Sequence, residues 1–175
     1  MTRSTATATA NRKPRTTSAI ALLKRDHVNA RRLLRQLEKT EASETSERKS
    51  LLEQVAREVQ VHAQIEEEIF YPAFHEAAQK SKDEMLFFEA AEEHGLVHRA
   101  LPELEGTDPG SELFSARAKV LKDLIEHHAE EEENEMFPRA QKLLDASALR
   151  ELGQQLQERK DELMNGEEGR GRRSS

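Results

Sequence analysis

The chain has 175 residues, 27 Lys+Arg against 34 Asp+Glu for a formal net charge of −7, seven histidines, and neither cysteine nor tryptophan. Without cysteine there is no disulfide framework, iron–sulfur cluster, thiolate zinc finger or cysteine nucleophile, so any metal must be held by imidazole and carboxylate. The acidic balance disfavours nucleic acid as a main partner, and no apolar run approaches the roughly 20 residues of a membrane span, so a cytoplasmic protein off the membrane is expected.

Charged residues make up 35% and aromatics 4% of the chain, a composition suited to long amphipathic helices in one domain rather than to a strand-rich sandwich or barrel. Residues 1–16, MTRSTATATANRKPRT, are basic and lack apolar periodicity, so a flexible tail is expected; an organelle-targeting role is the less favoured reading because the apolar content is almost all alanine.

From Ser18 the apolar positions recur at alternating spacings of three and four, through Ile20, Leu23, His27, Ala30, Leu34 and Leu37, which predicts a helix presenting one seam to a partner. A second helix is expected over about 46–79, its seam reading Leu52, Val55, Val59, His62, Glu66, Ile69 and Ala73, with Pro72 kinking or ending it. The third starts at Ser81, where Glu84 completes a capping box, and carries Phe87, Ala91, His94, His98 and Leu101 until Pro102 and Gly106. Asp108-Pro109 reads as the N-cap and first turn of a fourth helix with Phe114, Ala118, Leu121, Ile125, His128 and Glu132 on its seam. A fifth, roughly 146–164, has a narrow leucine face and should pack outside the others; residues 165–175 read as a second flexible tail.

The second and fourth helices match at a constant offset, pairing Val55 with Leu121, Val59 with Ile125, His62 with His128, Glu66 with Glu132, Tyr71 with Phe137 and Pro72 with Pro138. Asp26-His27 and Glu93-His94 match at nearly the same offset, so the chain is a duplicated helix hairpin, each half supplying a His and then an HxxxE. Residues four apart share a helix face, so each HxxxE presents an imidazole and a carboxylate inward from successive turns. Burying these groups uncompensated would cost several kcal/mol per ion, whereas divalent metal would neutralise the carboxylates and use the imidazole lone pairs.

His27, His62, Glu66, His94, His128 and Glu132 are therefore the expected metal ligands. His98, four residues after His94, is a seventh ligand or a donor satisfied by a neighbouring Glu, with the ligand role preferred. His75 and His127 fall off the seam and are expected to be non-ligands, and most carboxylates of Glu66-Glu67-Glu68 and Glu130 to Glu133 are expected on the solvated surface.

In this pattern, His27, HAQIE from His62, His94 and HAEEE from His128, each HxxxE followed by an aromatic-proline pair, the chain resembles the hemerythrin-like HHE cation-binding domains over about residues 18–142. The resemblance implies an all-α, up-and-down four-helix bundle, here over 17–144, to which the leucine spacing adds the extra helix over 145–164. It also implies two iron ions, Fe2+ or Fe3+, bridged by Glu66 and Glu132 and by an oxo or hydroxo group, with zinc or manganese as substitutes. His27 and His62 would hold one iron, His94 and His128 the other, and His98 would complete the second.

Oxygen-carrying hemerythrins place an Asp one residue further along the fourth helix where this chain has HxxxE, so the resemblance does not extend to pure oxygen storage. Ferritin-like di-iron proteins use ExxH, which does not occur here. The expected ligand is dioxygen, peroxide or nitric oxide, bound, sensed or reduced; two imidazoles per iron would favour peroxide or nitric oxide chemistry, and a third from His98 a carrier. A non-redox iron or zinc storage protein is the rival reading.

Overall fold

The computed structural model describes residues 17–78 and 80–171, with side chains as far as Gly166. The expected tail over 1–16 lies outside the described residues, as do residues 172–175 of the second one. Helix α1 (Ala19–Glu38) turns back into α2 (Thr45–Ile65), which runs through a π-turn (Glu66–Phe70) into α3 (Tyr71–Ala77). Helix α4 (Ser81–Glu105) turns back into α5 (Glu112–Glu131), which continues through a second π-turn (Glu132–Met136) into α6 (Phe137–Leu143); α7 (Ala146–Gly171) follows. The described residues are all-helical: two antiparallel hairpins form the four-helix bundle, and α7 lies on the face made by α1 and α2.

The prolines act differently from expectation. Pro72 and Pro138 neither end nor break their helices, because each sits just beyond a widened turn in which the Tyr71 amide donates to the Glu66 carbonyl and the Phe137 amide to the Glu132 carbonyl. A π-turn has spare carbonyls, so it absorbs the missing proline N–H and the ring's clash with the preceding turn. Pro102 likewise lies inside α4, which ends only at Glu105 before Gly106.

The helix starts also shift. The capping box at Ser81 is not formed: Lys80 is the N-cap residue, without a side-chain cap. Helix α5 starts three residues after Pro109, with Ser111 as N-cap accepting from the Phe114 amide, while Asp108 instead accepts from the Gly110 amide in the turn. Helix α7 runs past 164, taking in residues 165–171 of the expected tail.

Two apolar clusters make the core. One joins Leu33, Leu34, Val55, Val59, Leu104, Phe114 and Leu121; the other joins Leu22, Leu23, Ile65, Phe70, Phe74, Phe137 and Leu156. Along every bundle helix the chain passes from one cluster to the other across an inward histidine, as in Leu23–His27–Ala30 and Val59–His62–Ile65. The polar residues are thus a single layer between two dry ones. Arg48, itself buried, ties the hairpin turns together at the far end, donating to Thr40 and to the Pro109 carbonyl while its guanidinium lies 5.3 Å from the Phe114 ring centroid.

Candidate metal centre

The layer brings together six of the seven residues singled out in the sequence. His27 comes from α1, His62 from α2, His94 from α4 and His128 from α5, while Glu66 and Glu132 open the two π-turns. His27 Nε2 stands 3.1 Å from His62 Nε2, and His94 Nε2 stands 3.1 Å from His128 Nε2. Glu66 Oε2 lies 3.1 Å from His62 Nε2 and 3.5 Å from His94 Nε2, so it faces both histidine pairs. Glu132 Oε2 does the same, 3.2 Å from His27 Nε2 and 3.7 Å from His128 Nε2. Two overlapping groups of metal-ligating atoms result, His27–His62–Glu66–Glu132 and Glu66–His94–His128, the atoms of each lying within 4.8 Å of one another.

Cation binding accounts for what hydrogen bonding leaves unexplained. Glu66 is fully buried, yet neither of its carboxylate oxygens has a hydrogen-bond partner, and neither does Glu132 Oε2. An orphaned buried carboxylate is costly, whereas oxygens and imidazole nitrogens converging without a thiolate suit iron, manganese or zinc. The residues fit a metal.

Electrostatics point the same way. Burial would lower the His94 imidazole, but Glu66 and Glu67 outweigh it and hold it up at about 10. His27 is raised against burial by Glu132, Glu66 and Glu133. Glu132 is held far below the usual carboxylate range against the pull of burial, chiefly by His128 and His27. Protons on His27 and His94 supply positive charge that a metal would otherwise bring.

A second ring of carboxylates backs the histidines. Glu133 Oε1 meets His27 Nδ1 at 2.9 Å, Glu67 Oε1 meets His94 Nδ1 at 2.8 Å and Glu93 Oε2 meets His128 Nδ1 at 2.8 Å. Such partners fix the tautomer that leaves Nε2 free for a metal. His94 in turn, with His98, holds the Glu67 carboxyl down at about 2 against the opposing effect of burial. Glu67 and Glu133 belong to the acidic runs expected to be mostly solvated, and their side chains are 42% and 25% exposed. Each still reaches a histidine because a π-turn has more residues per turn, so each residue advances by a smaller angle and the glutamate after the buried one stays near its face, whereas Glu93 comes from the regular helix α4. The signal available in the sequence was positional: an acidic residue directly follows each inward Glu and directly precedes His27 and His94.

His98 is not brought into the cluster. It is 50% exposed, with Nε2 3.0 Å from Glu67 Oε1, so the structure gives it the neighbouring-glutamate contact. In place of a third imidazole, the second group has a phenol: the Tyr71 hydroxyl lies 3.1 Å from His94 Nε2 and donates to Glu132 Oε1 at 3.0 Å. Its duplicate, Phe137, has no hydroxyl and stacks on His27 at 5.7 Å. Burial, then Glu132 and Glu66, raise the Tyr71 hydroxyl well above its ordinary pKa, so it keeps its proton. His75 stacks on Phe87 at 4.4 Å, and His127 is exposed at 3.5 Å from both Glu93 and Glu131.

No helix among the described residues is long and apolar enough to cross a membrane. No curated protein matches the chain. A solved structure does: the hemerythrin HHE cation binding domain-containing protein from Mycobacterium kansasii, an Rv2633c homolog, is 27% identical over 86% of this chain and 89% of that one, with a TM-score of 0.75. The family model for the hemerythrin HHE cation binding domain matches residues 18–140, which span the whole bundle and all six clustered residues. The chain belongs to the hemerythrin HHE cation-binding domain family.

Proposed function

We propose that this is a cytoplasmic non-heme di-iron protein in which His27, His62, Glu66, His94, His128 and Glu132 hold two irons, and that it reacts with peroxide or nitric oxide or senses dioxygen. The observation that carries the reading is the convergence of four Nε2 atoms on two buried glutamates, with both Glu66 oxygens and Glu132 Oε2 left without a hydrogen-bond partner. Iron there would supply open positions for a small oxygen- or nitrogen-containing ligand and exchange electrons with it. Glu66 and Glu132, each facing both histidine pairs, would hold the two ions together and offset their charge. The apolar clusters on either side exclude bulk water from the layer, which strengthens every charge interaction inside it.

The position of His98 supports reactivity over carriage, since two imidazoles per metal leave exchangeable positions at both. Tyr71 holds a proton 3.0 Å from Glu132 Oε1, where it would orient or protonate a ligand bound beside His94 and His128. The partner is a small molecule, with no role for nucleic acid or membrane.

The test is the optical spectrum of anaerobic ferrous protein before and after dioxygen, peroxide or nitric oxide, followed by removal of the gas. Irreversible oxidation with turnover of peroxide or nitric oxide is the expected result. A band that reverses on degassing would select dioxygen sensing over turnover of peroxide or nitric oxide. Metal binding with no optical response to any of the three would sink it in favour of iron or zinc storage.

A further inference from the structure

The two halves of the metal centre are unequal in a way that the duplicated motif does not explain. Three inward histidines have Nδ1 tied to a carboxylate at 2.8 to 2.9 Å, but His62 does not. Its nearest carboxylate oxygen is Asp26 Oδ2 at 3.8 Å, and both that oxygen and His62 Nδ1 are buried without a hydrogen-bond partner. Asp26 is the duplicate of Glu93, which does reach His128 Nδ1.

Two features keep Asp26 away. Aspartate is one methylene shorter than glutamate. Its other oxygen is also taken: Lys160 Nζ, on α7, lies 2.8 Å from Asp26 Oδ1 and 3.6 Å from Glu58, and the lysine is largely shielded from solvent. Lys160 is delivered by a well-anchored helix, since Arg159 next to it donates twice to Glu68 and Leu156 one turn earlier is fully buried. It lies on α7, beyond the stretch that matches the family model, residues 18–140.

Resting on the di-metal reading above, we propose that Lys160 is a positioning residue for the His27/His62 metal position: by engaging Asp26, it deprives His62 of the carboxylate that the other three histidines have. A carboxylate on Nδ1 fixes the metal-binding tautomer and makes Nε2 a better donor, and such partners are worth about 10- to 100-fold in metal affinity. Between deprotonated imidazole pairs the His94/His128 position therefore fills first and the His27/His62 position is the weaker, more exchangeable one.

The experiment is an anaerobic titration of the metal-free full-length protein with cobalt(II), following the visible absorption and the bound metal by equilibrium dialysis. Wild type should load in two steps separated by about 10- to 100-fold. Lys160→Met, which frees Asp26, and Asp26→Glu, which lengthens the arm, should each tighten the weaker step by about 10-fold and leave the tighter one in place. Lys160→Arg should keep the wild-type spacing. A merely structural lysine predicts lower stability in Lys160→Met but no tightening, and if that variant fails to fold, Asp26→Glu decides alone. Two equal steps in wild type, or variants whose weaker step stays put or weakens, overturn the assignment of Lys160 and leave the di-metal reading standing. No bound cobalt in wild type overturns both.

Discussion

Gly153 lies where α7 crosses the chain entering α1, and replacing it by alanine sets two effects of opposite sign against each other. In an exposed helix interior Gly→Ala stabilises by about 0.5–1 kcal/mol, because alanine loses less backbone freedom on folding. Here the new Cβ would run into the Thr17 carbonyl oxygen and stand 2.7 Å from the Ala19 nitrogen and 2.9 Å from the Ser18 carbonyl carbon. All three are backbone atoms, so no side-chain rotation relieves the overlap, and such overpacking costs about 1–3 kcal/mol. If α7 lifts away instead, Leu149 and Leu156 lose burial worth about 1.5–3 kcal/mol each, so lifting is no cheaper. The expected net effect is destabilisation by about 1–2 kcal/mol, the overlap exceeding the propensity gain. Gly166→Ala, in the same helix with nothing within 4 Å of its Cβ, isolates that gain and should be neutral or stabilising by up to about 1 kcal/mol. Urea unfolding of the metal-free proteins, followed by circular dichroism, compares the midpoints at constant slope. A Gly153→Ala midpoint at or above wild type would refute the packing argument.

His98→Ala should leave the metal bound per chain unchanged by elemental analysis, whereas His62→Ala combined with His128→Ala should abolish it; loss of metal in the single variant would return His98 to the ligand set. Tyr71→Phe should fold with unchanged helicity, since Phe137 fills the duplicate position, but should shift the spectrum of an azide adduct of the loaded protein; an identical adduct would remove Tyr71 from the site. In the metal-free protein His94 is raised from 6.5 to about 10, so its contribution to stability is complete below about 6.5 and is lost as pH rises through about 10. Glu67 is lowered from 4.5 to about 2, so its contribution is complete above about 4.5 and is lost as pH falls through about 2. Denaturant midpoints of the metal-free protein should therefore peak between about pH 4.5 and 6.5 and decline toward pH 10, and a midpoint that climbs through that alkaline range would contradict the charge assignment. Because metal must displace the His94 proton, apparent metal affinity should rise over the same alkaline interval.

The bundle was legible in the sequence because helix packing is written in a short repeat: apolar positions three and four apart define a buried seam wherever they fall, and the duplication repeats the pattern. The six inward ligand candidates were legible for the same reason, since each lies on a seam and the HxxxE spacing puts His and Glu on one face whatever the partner helix does. That reasoning stops where the periodicity changes. Glu67 and Glu133 reach His94 and His27 only because a π-turn begins at the residue before each, and the proline that calls for the turn lies several residues downstream.

Other features depend on contacts between segments far apart in sequence. His98 shares the face of His94, but α4 carries it out to solvent, against Glu67 and away from His128. Tyr71 reads as a core aromatic until the bundle places its hydroxyl beside His94 and Glu132. Lys160 lies on a helix with no inward ligand, and its effect on Asp26 exists only once α7 has docked across α1 and α2. The sequence by itself determined the helices, their duplication and the candidate donor set, because those follow from local spacing. Which carboxylate backs which histidine, and that Asp26 stops 3.8 Å short of His62, was decided by the tertiary structure, because a hydrogen bond is set by a few tenths of an ångström that spacing along one helix does not encode.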